Sequence, residues 1–228
     1  MSYFRLLYVA LLLGPLRLSA QEDAQPERAL CVVCALKDGE TEFEKVKAHS
    51  EHAGTPYYFC SADCKAEFDA DPAGYLPPKL PRPAPNMVVE TLAGESVSLQ
   101  DFGGQWVLLD FWATWCTRCV KMMPKLQKLY EAYADAGLVV LGVSIDDDEA
   151  RIKKIKRFVD KVDVSYPIFS DAKEQPAWDA FSVKVLPTAF LIDPNGQVVA
   201  QWIGKIDHRQ IEEEVASRVL RQEEMQSQ

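Results

Sequence analysis

The stretch that most restricts the fold is Trp106-Val-Leu-Leu-Asp-Phe-Trp112, followed three residues later by Cys116-Thr-Arg-Cys119. A continuous apolar run rich in aromatic and branched residues is read as a strand buried on both faces. Cys119, Met123, Leu126, Tyr130 and Tyr133 then recur at helical spacing, which predicts a helix from about Thr117 to Ala136. Pro124 lies inside that helix and is expected to kink it, and Gly137 to end it. A strand running into a helix in this way sets Cys116 at the helix N-terminus, where free N–H groups and the helix dipole favour negative charge. Thiolate gains over thiol there, so Cys116 is the attacking sulfur. Cys119 lies one turn inside, within bonding distance, placed to displace a partner from a mixed disulfide on Cys116.

The chain beyond this run alternates between the two periodicities. Met87–Glu90 and Ser96–Leu99 suggest a hairpin, and Leu138–Ser144 a second buried strand. Asp147–Val162 reads as an amphipathic helix, Tyr166–Phe169 as a short strand, and Ala177–Phe181 as a short helix. Thr188–Ile192 and Gln197–Ile203 form a hairpin around Asp193-Pro-Asn-Gly196, and Asp207 caps a final helix. Strands alternating with helices predict an α/β domain, a sheet covered on both faces. Before it, residues 77–85 hold five prolines in nine positions. That composition predicts an extended, semi-rigid linker, with a proline-rich entry packed on the second domain as the alternative.

The Trp-Cys-x-x-Cys run resembles the active site of thioredoxins, and the chain from residue 86 to 228 is similar to membrane-anchored or periplasmic thiol–disulfide oxidoreductases of the TlpA/ResA type. The resemblance implies a thioredoxin fold, a central mixed sheet flanked by helices. It implies catalytic roles for Cys116, Cys119, Asp110 and Pro187, and substrate contacts from Trp115, Leu186 and Thr188. Asp110 matches the buried carboxylate under the dithiol, which burial would raise in pKa and which would take the proton of Cys119. Leu186-Pro187-Thr188 matches the loop whose cis-proline faces the dithiol. Ser165–Val183 resembles the strand–helix insertion of this subgroup. Thr117-Arg118 stands in place of the Gly-Pro of thioredoxin. Arg118 should favour the Cys116 thiolate and so raise the reduction potential. The Pro-x-x-x-Thr-x-x-Cys pattern of peroxiredoxins is absent around Cys116, which weakens a peroxidase reading.

All six cysteines fall in close pairs, the other two being Cys31/Cys34 and Cys60/Cys64. Within residues 21–76, Cys-Val-Val-Cys, Tyr57-Tyr-Phe-Cys60, Cys64, Phe68, Asp71-Pro and Tyr75-Leu resemble a YHS/TRASH-type metal-binding module, a small cysteine-rich α+β unit. Ala35-Leu36 replaces the Gly-Met usual after the cysteine, removing a soft thioether ligand. Cys31, Cys34, Cys60 and Cys64 suit Zn or Cu, with His52 as a candidate nitrogen ligand. Two disulfides stapling a domain too small to fold on its core alone are the competing reading. Tyr57, Tyr58 and Phe59 are expected in the core. No cofactor is expected at the dithiol itself.

Arg5, the apolar run Leu6–Leu13 and the small residues before Gln21 read as a signal peptide over residues 1–20, with an uncleaved amphiphilic anchor as the alternative. The run is short for a membrane span, so no stable span is expected after cleavage, and a periplasmic or secreted location follows. A formal charge of −9 argues against nucleic acid as a partner. The expected partners are client proteins bearing cysteines or disulfides and a redox protein that recycles the dithiol. Three readings remain: dithiol–disulfide exchange on exported clients; a metallochaperone or copper-site assembly factor whose dithiol keeps a client's metal-binding cysteines reduced; and a non-catalytic module that keeps the fold, against which both cysteines speak.

Overall fold

The structure, a computed structural model, describes residues 25–38, 42–171 and 174–226. The expected leader over residues 1–20 lies outside the described residues. Among those described, no helix is long and apolar enough to cross a membrane.

The front module is built on a short pair, β1 (Arg28–Ala29) with β2 (Glu44–Lys45), and the hairpin of β3 (Ala48–His52) with β4 (Thr55–Phe59). Ala53 and Gly54 turn that hairpin with φ of 51° and 77°, the left-handed pair that a two-residue hairpin loop of right-handed twist requires. Helix α1 (Val32–Asp38) and helix α2 (Ala62–Ala70) pack on the hairpin, followed by a 3-10 turn over Pro72–Tyr75. Ser61 caps α2 by accepting the Cys64 N–H at 3.1 Å. The core is small: Cys31, Val33, Phe59 and Phe68 are buried, with the Phe68 ring 4.9 Å from Tyr57 and 5.2 Å from Phe59.

The second unit is an eight-stranded mixed sheet. Its strands are β5 (Arg82–Pro83), β6 (Val88–Thr91), β7 (Ser96–Ser98), β8 (Trp106–Trp112), β9 (Leu138–Ser144), β10 (Ile168–Asp171), β11 (Thr188–Ile192) and β12 (Gln197–Ile203). Their order across the sheet is β5-β12-β11-β8-β9-β10-β6-β7, with β8, β9 and β10 parallel and the other pairings antiparallel. The helices are α3 (Thr117–Tyr133), α4 (Arg151–Val162), α5 (Ala177–Ala180) and α6 (His208–Gln226). This is the thioredoxin-like mixed sheet flanked by helices that the sequence predicts.

Alternation along β8 sorts the core. Trp106, Leu108 and Trp112 face α3, Ile155 of α4, and Ile211 and Val215 of α6. Val107, Leu109 and Phe111 face the other way, onto Phe169, Phe181 and Phe190. By the same alternation Asp110 points to the α3 side. The buried stripe of α3 is Cys119, Met122, Met123, Leu126 and Leu129, with Tyr130 and Tyr133 only partly covered.

Over the second half of residues 77–85 the extended, semi-rigid linker gives way to the alternative, a proline-rich entry packed on the second domain. Arg82 and Pro83 pair with Val198 and Gln197 of β12, Leu80 and Ala84 pack on the second core, and the Arg82 guanidinium lies 5.9 Å from the centre of the Phe190 ring. Prolines are tolerated because β5 is an edge strand, where a missing N–H breaks no ladder on the open side. The helix expected from Asp147 begins at Arg151 instead. Asp146 and Asp148 commit their carboxylates to the loop: Asp146 accepts from the Thr114 N–H at 2.9 Å, and Asp148 from the Ala150 N–H at 2.9 Å.

Candidate active site

Cys116 is the N-cap of α3, and its Sγ accepts the Cys119 N–H at 3.2 Å. The first turn of a helix leaves its N–H groups without carbonyl partners. Here one of them is aimed at the sulfur on which charge would develop. Cys116 and Cys119 are joined as a disulfide; Cys119 is fully buried and Cys116 is 7% exposed. The outer sulfur is thus the one a partner can approach. The residues that carry the motif are held from behind: Asp146 also accepts from the Thr114 hydroxyl at 2.7 Å, fixing the loop between β8 and α3.

The Leu186–Pro187 peptide bond is cis, as the resemblance implies. Pro187 leads into β11, and its carbonyl accepts the Gly204 N–H at 2.8 Å. Thr188 is buried and turns its hydroxyl onto the Val185 carbonyl at 2.7 Å, so it braces this loop. Leu186 lines a cleft of about 480 Å³ with Trp115, Cys116, Arg118, Trp178 and Val185. Trp115 is 69% exposed at the rim of this cleft. Trp178, on α5, forms another wall. Sequence reading missed Trp178, because its distance along the chain from Cys116 conceals that α5 folds back over the dithiol.

Asp110 is fully buried, and neither carboxylate oxygen has a hydrogen-bond partner among the described residues. Burial alone pushes its pKa up to about 8. Tyr166, also buried with an unpartnered hydroxyl, is raised well above its ordinary value by burial and then by the Asp110 charge. The two are therefore electrostatic neighbours, and Tyr166 is a second member of this site that sequence reading missed. Its only signal was its position at the head of the insertion.

The other four cysteines converge although 30 residues separate Cys34 from Cys64. Their four sulfurs lie within 4.8 Å of one another. Cys34 Sγ is 3.4 Å from Cys60 Sγ and 3.8 Å from Cys64 Sγ, and Cys60 and Cys64 are 3.7 Å apart. Four sulfurs at about 2.3 Å from a tetrahedral centre would be about 3.8 Å apart, so the spacing fits one soft cation. His52 is not in this group; its ring meets Phe68 edge-on at 6.2 Å. Burial, then the neighbouring sulfurs, pushes Cys34 far up, and Cys60 rises to about 11 chiefly by burial. Cys31 is pushed up by burial too, but hydrogen bonds from the N–H groups and then the thiols of Cys34 and Cys60 together outweigh it and hold it low.

The front module is seated on the lips of the dithiol cleft. Arg118 Nη1 donates to the Lys37 carbonyl at the end of α1 at 3.4 Å. A Cβ on Gly204 would come within 2.7 Å of the Leu36 carbonyl. Lys184, in the cleft wall, pairs with Asp71 at 2.8 Å.

Comparison with known proteins agrees with this geometry. Residues 80–201 match the AhpC/TSA family. Thiol-disulfide oxidoreductase ResA of Bacillus cereus is 39% identical over 129 residues, 57% of this chain and 72% of that protein. The thioredoxin-like protein YneN of Bacillus subtilis is 36% identical, over 58% of this chain and 76% of its own length. A putative thiol:disulfide interchange protein DsbE from Chlorobium tepidum superposes with a TM-score of 0.55 at 30% identity, covering 61% of this chain and 96% of that one. With a matched family, a matching fold and a helix-capping dithiol on one sheet, the chain belongs to the AhpC/TSA family, among its thioredoxin-like thiol–disulfide oxidoreductases.

Proposed function

We propose that this chain is exported and exchanges disulfides with client proteins through Cys116 and Cys119. One observation carries the reading: the Cys116 sulfur receives the N–H of Cys119 at 3.2 Å at the mouth of α3. In the reduced chain the Cys116 thiolate attacks one sulfur of a client disulfide. That bond breaks, one client thiolate leaves, and a mixed disulfide forms. Cys119 then gives up its proton, which Asp110 takes when in its ionised form, and attacks Cys116. The second client thiolate departs, the Cys116–Cys119 bond closes, and two electrons have passed to the client. Run backwards, the same steps oxidise a client dithiol. A second dithiol protein reopens the bond for the next cycle. Arg118 adds positive charge beside the thiolate, which stabilises the reduced form.

Extended client chain would lie in the cleft against Trp115, Leu186 and Pro187, with Thr188 holding the loop. Turnover of a disulfide substrate such as insulin, in wild type and Cys116→Ser, tests this. The variant should lose at least about a thousandfold in rate, since the buried Cys119 cannot form the mixed disulfide in its place. Equal rates would overturn the reading.

A second reading rests on the four-sulfur cluster. Cys31, Cys34, Cys60 and Cys64 would hold one soft cation, Zn(II) or Cu(I), which balances the charge of thiolates that cannot otherwise ionise together. The module would then bring metal beside the dithiol, and the client would be a protein whose own metal-binding cysteines must be reduced. Metal analysis of the intact chain separates the two. One equivalent of copper with poor insulin turnover favours delivery, and metal-free protein with rapid turnover favours general exchange.

A further inference from the structure

A second concavity, of about 470 Å³, opens beside the dithiol cleft on the flank of α3. It shares Arg118 with the cleft, and its Pro187 adjoins Leu186 of the cleft wall. Its polar lining is cationic: Arg118, Lys121, Lys125 and Lys205, with His208 and a single carboxylate, Asp38. Among the described residues, none of those four cations is ion-paired with a carboxylate. Lys125 instead places its ammonium 2.9 Å from His208 Nδ1, where an ammonium can only donate. The basic groups just outside differ in this respect, for Lys37 is paired with Glu67 and Lys184 with Asp71.

In a chain with 34 acidic and 25 basic residues, four cations gathered in one concavity with a single carboxylate, Asp38, make a local positive patch on a negatively charged protein. Their mutual repulsion is a cost that a bound anion removes. The charge of −9 repels acidic molecules in general, so these cations act only on a segment already held against this face.

We propose that this concavity is the subsite for an acidic segment of the client polypeptide. Asp or Glu side chains of the client, a few residues along the chain from the cysteine engaged at Cys116, would lie between Lys121, Lys125 and Lys205. The inference rests on the exchange reading and names its substrate class. A polypeptide is favoured because the two hollows adjoin at Arg118 and at Leu186–Pro187, so an extended chain leaving the cleft passes within reach of the basic one. The front module completes the wall through Asp38 and the end of α1.

The test uses the full chain, reduced, and two disulfide-bearing peptides that differ only in a flanking run of four aspartates or four serines. Single-turnover rates are followed by tryptophan fluorescence at low and high salt. The acidic peptide should react about tenfold faster at low salt, the gain expected from one or two ion pairs formed once the peptide is docked, and the ratio should shrink as salt rises. In Lys121→Glu/Lys205→Glu the ratio should fall to about one or below, and in Lys121→Gln/Lys205→Gln to an intermediate value. Both lysines are exposed, so these changes leave the core untouched. Cysteine-free versions of the peptides, titrated by fluorescence anisotropy, supply a readout independent of exchange. Binding of the acidic one that the Glu variant abolishes supports the subsite even where no exchange is seen, a result that would count against the exchange reading alone. Equal rates and equal binding of the two peptides, or a preference that survives charge reversal, would overturn the proposal.

Discussion

Asp110 on β8 stands opposite Gly142 on β9, and the space a side chain at 142 would fill already belongs to Tyr166, Ile168 and Trp112. A carboxylate with no partner is thereby walled in by aromatic and aliphatic groups beneath the dithiol helix. Its raised pKa has a thermodynamic consequence. Between the ordinary carboxylate value near 4 and the folded value of about 8, the native state keeps a proton that the unfolded chain has lost. Wild-type stability therefore falls as pH rises across that window, by up to about 1.4 kcal/mol per pH unit. Asp110→Asn carries no such proton. Its melting temperature relative to wild type should climb from pH 5 to pH 8 and then level off; parallel profiles would contradict the account.

Gly142→Ala puts a methyl within 2.7 Å of Ile168 Cδ1 and 3.0 Å of the Tyr166 ring. Both side chains belong to a packed core, so room comes only by moving them. The expected cost is about 1–3 kcal/mol, read as a lower denaturant midpoint with an unchanged slope.

How much of this could be read from the chain depends on where the information lies. The bounds of β8, β9 and β11 match their expected ranges because buried runs declare themselves by composition, and those of β12, a mostly half-buried strand, because the turn Asp193-Pro-Asn-Gly196 marks its start. Asp110 is picked out by the resemblance, which matches it to the buried carboxylate under the dithiol. What failed was set by partners distant in sequence. Prolines 81–85 promise an extended chain but cannot say that β12 has a free edge for Arg82 and Pro83 to join. His52 sits near the cysteines in sequence, yet its hairpin carries it to Phe68 and away from the sulfurs. Tyr166 and Trp178 reach the site only through tertiary folding of the insertion, which periodicity does not encode.

If the four outer sulfurs hold a soft cation, removing it should loosen the front module first. Its core rests on Cys31, Val33, Phe59 and Phe68, too few residues for independent stability. Chelation under reducing conditions should raise hydrogen exchange in α1 and α2 at least about tenfold while β8 and β9 stay protected. Uniform protection before and after chelation, with no metal released, would count against a structural metal.

Gly204 joins the module to the cis-proline loop. It has φ of 70°, and a Cβ there would meet the Leu36 carbonyl at 2.7 Å. Gly204→Ala should destabilise the chain by about 1–3 kcal/mol, part from backbone strain and part from displaced α1. Hydrogen exchange in α1 should rise more than in α6. An equal rise in both helices would show that the module is not seated through this contact.

The claim on which everything else depends is that Cys116 ionises readily while Cys119 does not. Alkylation of the reduced chain with iodoacetamide across pH 4–10, with each modified cysteine located by peptide mass, measures this directly. Cys116 is expected to react with a midpoint well below the value near 8.5 of free cysteine, and Cys119 to be alkylated only slowly. A Cys116 midpoint at or above that value, or equal rates at the two sulfurs, would contradict the claim.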